Sequence, residues 1–172
     1  MTRALKILAI TVLAVLCQTN LSSFLRLQSI APDLMIAALV ALGFHYGTYG
    51  GFCAGAIMGL LYDAAVGYVL ALNIIIYTFI GYAAPAGKAL LQNRFGKRRY
   101  HRWLQAMALG FAMTLIREFT DIGYLFLIGA QQGLVTLLRM VLCCGYTAVW
   151  TLPVLLAVDR ILRVPKKEVS PV

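Results

Sequence analysis

Residues 47–67 read Gly-Thr-Tyr-Gly-Gly-Phe-Cys-Ala-Gly-Ala-Ile-Met-Gly-Leu-Leu-Tyr-Asp-Ala-Ala-Val-Gly, with Gly47, Gly51, Gly55, Gly59 and Gly67 in steps of four and Asp63 at the missing step. Small residues at this spacing in an apolar helix let a neighbouring backbone approach closely. Because a helix repeats every 3.6 residues, steps of four drift around it by about 40° each. The stripe is therefore expected either to be shared by two neighbours or to meet one neighbour at a steep crossing.

The setting of this ladder is a bilayer. Of 172 residues, 62% are hydrophobic and 12% charged, with a mean hydropathy of +0.85. A water-soluble domain carries roughly twice that share of charge. The chain is read as one integral membrane domain. Its formal charge of +9 does not point to nucleic acid, because the bases cluster between apolar runs and at the termini. That is the placement of topology signals. Cys17, Cys53, Cys143 and Cys144 lie in apolar segments without metal-ligand spacing, and His45 and His101 are far apart in sequence. No metal, cofactor or catalytic residue is expected. Arg3 and Lys6 ahead of residues 7–17 resemble the start of a signal peptide, but no small-x-small site follows, so an uncleaved first span is expected.

Six transmembrane helices are expected, at about residues 5–24, 34–46, 48–66, 70–86, 103–128 and 134–158. The short second span, ending at His45-Tyr46-Gly47, suggests a tight hairpin or a re-entrant piece with the glycine helix. Residues 88–102 are read as a cytoplasmic loop and 159–172 as a cytoplasmic tail. With both termini inside, Arg3 and Lys6, the six bases from Lys88 to Arg102, and Arg160, Arg163, Lys166 and Lys167 fall on the inner side, twelve of fifteen. The positive-inside rule selects that orientation.

The fifth span carries Arg117, Glu118 and Asp121, and the sixth carries Arg139. Intramembrane charges are costly and should face the bundle interior. Arg117 and Asp121, four apart, meet on one face, and Asp121 and Arg139 have matching depths. Two bases and two acids suit a charge network that fixes helix register; a proton or ion relay is the functional alternative. Asp63 is read as a partner or ligand group, or as a carboxylate capping the helix of Asn73. Asp33, after Pro32, is read as complementing a helix dipole, and Asp63→Ala is expected to harm activity more than Asp33→Ala. Arg94, Lys97, Arg98, Arg99 and Arg102 form a solvated basic loop that attracts anionic lipid or an acidic partner. Hydrolase and nucleotide-binding motifs are missing from the sequence.

Pro32-Asp33-Leu34, the ladder into Gly59-Leu-Leu-Tyr-Asp63, Gly67 and Leu72-Asn73 together resemble the rod shape-determining protein MreD family, specifically over residues 31–82. Ala71 stands where the resemblance would place a glycine. The resemblance implies a non-enzymatic bacterial inner-membrane component of the elongation machinery. It also implies work with MreC, the MreB filament, RodA and a class B penicillin-binding protein. The implied fold is similar to the substrate-binding subunits of energy-coupling-factor transporters. That similarity supplies the rival expectation, a vitamin-binding transporter subunit using Asp63 and the 117–121 cluster.

Overall fold

The computed structural model describes residues 3–26, 30–66, 72–95, 99–129 and 133–162. They form five helices: α1 (Arg3–Leu21), α2 (Leu34–Val66), α3 (Leu72–Phe95), α4 (Arg99–Leu127) and α5 (Leu134–Leu162). Four are long and apolar enough to cross a membrane, over Ala4–Leu21, Leu34–Val66, Leu72–Asn93 and Val135–Leu162. The chain is an all-helical, multi-pass membrane protein.

α2 does not run straight. At Gly47 the backbone leaves helical geometry, with φ 71° and ψ −164°, a region essentially reserved for glycine. A Cβ built at Gly43 would lie 2.8 Å from Pro85 Cγ, and one built at Gly51 would lie 3.5 Å from the same atom. Eight residues of straight helix would separate them by about 12 Å. Farther out, Asp33 accepts a 3.0 Å hydrogen bond from the Tyr77 hydroxyl, and the Tyr62 ring meets Tyr77 edge-on at 6.2 Å. A straight helix would hold residues 33 and 62 about 44 Å apart. The helix therefore doubles back at Gly47 into a first arm (34–46) and a second arm (48–66).

The first arm is the core. Every residue from Leu34 to Phe44 is buried, which suits a stretch that is apolar on all sides. Its start is fixed by polar contacts. The Asp33 side chain accepts the Ile36 N–H at 3.0 Å as an N-cap, and the Leu34 N–H donates to Gln18 Oε1 of α1 at 2.7 Å. The Asp33 N–H donates to the Thr147 hydroxyl of α5 at 2.9 Å.

The second arm lays its glycines on α3. Any side chain at Gly51, Gly55 or Gly59 would run into the backbone of Gly81, Tyr77 or Asn73 and Ile74 respectively, and Gly81 faces Gly51 in return. One neighbour thus takes three successive steps of the ladder. The drift is absorbed because rows of residues four apart are inclined to the helix axis, and a crossing helix can follow such a row. Gly47 has nothing within 4 Å of its missing Cβ, so it serves the turn rather than the stripe. Gly67 lies outside the described residues.

Two sequence boundaries are corrected. Residues 88–102 are not mainly loop: α3 runs on to Phe95 and α4 starts at Arg99, because Ala-Leu-Leu-Gln-Asn-Arg is good helix-forming sequence whatever its polarity. α5 likewise continues past residue 158 to Leu162. At this basic end, Asp159 of α5 meets His45 Nε2 at 2.5 Å and Arg102 Nη2 of α4 at 2.8 Å. Lys88 of α3 donates to the Phe44 carbonyl at 2.8 Å and sits 4.7 Å over the Phe44 ring.

Candidate functional site

At the end of the bundle far from this clasp, the ends of α1 and α4 and the starts of α2 and α5 leave a cavity of about 340 Å³. Its walls come from α1, the chain leading into α2, α4 and α5. That connecting chain is held from α5: the Tyr146 hydroxyl donates to the Leu25 carbonyl at 3.0 Å, and the Cys143 thiol donates to the Ala31 carbonyl at 3.4 Å. Arg26 lines the cavity together with Arg139 and the charged turn of α4.

The wall is organised by Asp33, which is 1% exposed. Arg117 Nη1 donates to its Oδ2, which also accepts from Tyr77. The other guanidinium arm, Nη2, lies 3.8 Å from Asp121 Oδ2, and the guanidinium sits 5.6 Å from the Tyr77 ring centroid. The hub ties the first arm to α3, α4 and α5. An ion pair in so dry a setting adds little net attraction over apolar packing, but losing one partner strands the other. Arg117 Nε is buried without a hydrogen-bond partner, so the guanidinium is not fully satisfied even here.

The remaining sequence candidates separate. Glu118 and Arg139 line the cavity, and Glu118 accepts a long contact from the Cys143 thiol at 3.7 Å. Asp63 caps α3 instead: its carboxylate accepts from Asn73 Nδ2 at 2.7 Å and from the Ile74 N–H at 3.2 Å. Gly51, Gly55 and Gly59 are spent on α3, so those steps are packing and not a free partner face. Of the basic stretch, Arg102 joins the clasp with Asp159. Lys97 and Arg98 lie outside the described residues, as do the side chains of Arg94 and Arg99.

Sequence reasoning missed the role of Asp33, together with Tyr77, Thr147 and the His45–Asp159 contact. A signal for Asp33 existed: an acid directly after the proline that opens an apolar span is also an intramembrane acid, and Arg117 needed a counter-ion at similar depth.

A second cavity, of about 590 Å³, lies on the other side of the same stretch of α4 and shares Arg117, Asp121 and Leu125 with the first. Its other walls are Tyr62, Val66, Leu72, Asn73, Tyr124 and Ile128, mostly apolar or aromatic. The arrangement can hold a molecule and lock helix ends.

The fold and site define a multi-pass helical membrane protein with a charge-lined cavity at one end and a three-helix ionic clasp at the other. The model of the rod shape-determining protein MreD matches residues 1–150, and the chain belongs to that family. The match extends well beyond the segment in which the resemblance could be read residue by residue. No curated protein and no solved structure matches the chain.

Proposed function

We propose that this chain is a non-enzymatic inner-membrane component of the bacterial elongation complex, maintaining rod shape by organising lateral peptidoglycan synthesis with MreC, MreB, RodA and a class B penicillin-binding protein. The observation that carries the reading is the family match over residues 1–150. Family membership makes the chain a rod-shape-determining membrane component; its partners and its lack of catalysis belong to the proposal.

The doubled-back α2 supports a six-crossing topology, two arms plus α1, α3, α4 and α5, as in the substrate-binding subunits of energy-coupling-factor transporters. An even number of crossings puts both termini on one side, and the bases at Lys88, Arg102 and Arg160 make that side cytoplasmic. Because α3 occupies Gly51, Gly55 and Gly59, a partner's span would dock on the lipid-facing sides of the bundle and not in the ladder.

The test is clean removal of the chain from a rod-shaped cell. Rods should become spheres, and the tagged protein should co-purify with an MreC-like protein. Unaltered shape overturns the reading. A second reading, a small-molecule (vitamin) binding subunit, is favoured by the 340 Å³ cavity. It expects a soluble ligand retained through purification.

A further inference from the structure

The charged cavity has a chemical character that a role in helix locking does not account for. Three guanidinium groups (Arg26, Arg117, Arg139) and three carboxylates (Asp33, Glu118, Asp121) face it. Their formal charges cancel, so the cavity favours a neutral molecule carrying both signs over a net anion or a net cation. Arg117 is committed to Asp33 and Asp121. Glu118, next to it in sequence, instead faces the cavity with the Cys143 thiol at 3.7 Å. A thiol is a weak donor, and a half-buried carboxylate calls for a stronger partner. A primary ammonium, compact and with three N–H donors, supplies it. Arg26 and Arg139 line the same cavity, and a guanidinium, with five N–H donors, can add a phosphate to the partners it already has.

The second cavity extends the argument from head to tail. It shares Arg117, Asp121 and Leu125 with the first, and its remaining walls are mostly apolar or aromatic. A polar space and an apolar space on either side of one helix turn match an amphiphile. A free polar solute would use only the first. The volume of about 340 Å³ falls within the usual range for a ligand pocket and suits a small head group.

We propose that the paired cavities bind an aminophospholipid, with its ammonium on Glu118, its phosphate between Arg26 and Arg139, and part of an acyl chain in the 590 Å³ cavity. The proposal stands independently of the assignment to the elongation complex.

The test is native mass spectrometry of the full chain in detergent, incubated with equal amounts of phosphatidylethanolamine, phosphatidylcholine and phosphatidylglycerol of identical chains. Phosphatidylethanolamine should be retained preferentially, because choline has no N–H to give Glu118 and the glycerol head has no cation. Glu118→Gln should cut the preference for phosphatidylethanolamine over phosphatidylcholine about tenfold, the worth of one charge-assisted hydrogen bond. Glu118→Asp, which keeps the charge, should restore part of it. Soluble phosphoethanolamine in excess should not displace the lipid. Equal retention of the three lipids, an unchanged preference in Glu118→Gln, or full displacement by free phosphoethanolamine would each overturn the proposal. So would a retained soluble ligand in place of lipid. Should Glu118→Gln fail to fold, the wild-type three-lipid competition still decides.

Discussion

Each end of this bundle is tied by one aspartate that gathers side chains from other helices. At the far end Asp33 holds Arg117 and Tyr77; at the basic end Asp159 holds His45 and Arg102. The geometry is similar and the surroundings are not. The Asp33 side chain is 1% exposed and that of Arg117 17%, against 15% for Asp159 and 36% for Arg102. Water and salt can replace what Asp159 provides. Asp33 is almost wholly covered and caps the core arm that begins at Leu34, so solvent replaces it poorly. The comparison teaches that, in a membrane bundle, an ion pair's depth decides its consequence more than the number of its contacts.

The largest expected effect is therefore at Asp33. Asp33→Ala leaves the buried Arg117 with Asp121 at 3.8 Å and removes the N-cap of α2. A cost of about 3 kcal/mol or more is expected, the usual penalty for orphaning a buried charge. Asp63→Ala loses a cap and one side-chain hydrogen bond, and about 1 kcal/mol is expected. For stability, then, the expected order is the opposite of the one the sequence suggests for activity. Thermal unfolding of the two purified variants in one detergent checks it: a smaller loss for Asp33→Ala than for Asp63→Ala would show that the buried hub is dispensable. Pairing Asp33→Ala with Arg117→Met should recover part of the loss, because the second change removes the stranded charge.

The weight that falls on Asp33 shows where the sequence was legible and where it was not. The membrane class, the apolar runs and the close-packing role of the glycines could be read, because composition and spacing carry them directly. Residue spacing along one chain also paired Arg117 with Asp121. It could not pair Arg117 with Asp33, which lies 84 positions away, or His45 with Asp159, 114 away. Such pairs depend on which helices become neighbours. Drift alone leaves the ladder two outcomes, two neighbours or one steep crossing, and only the helix that packs on it decides: α3 takes Gly51, Gly55 and Gly59. Polarity alone does not make a loop of residues 88–95, most of which are good helix formers and continue α3.

Next in size is the turn that separates the two ends of α2. Gly47→Ala meets no steric neighbour, so its cost comes from backbone conformation alone. At φ 71° and ψ −164° about 1–3 kcal/mol is expected for a residue with a Cβ. Tyr49→Ala, at a helical position whose side chain is 88% exposed, provides the control for a substitution near the turn. If Gly47→Ala melts no earlier than wild type, the reversal at Gly47 does not depend on glycine, and the two ends are coupled less tightly through α2 than the geometry indicates.

The smallest effect sharpens the comparison most, because it separates the two ends by mechanism. Asp159→Asn removes the carboxylate charge from His45 and Arg102 while keeping its shape. Partly exposed pairs are worth about 0–1 kcal/mol, and salt screens them over a Debye length of about 10 Å at 0.1 M. The melting difference between Asp159→Asn and wild type should therefore be small at low ionic strength and should shrink further as salt is raised. The Asp33→Ala difference should change less over the same series, since the Arg117 side chain it strands is 17% exposed against 36% for Arg102. Parallel salt dependence of the two variants would show that both ends are equally wet. The contrast between a dry lock and a wet clasp would then fall, and with it the reason for ranking Asp33 above every other acid in the chain.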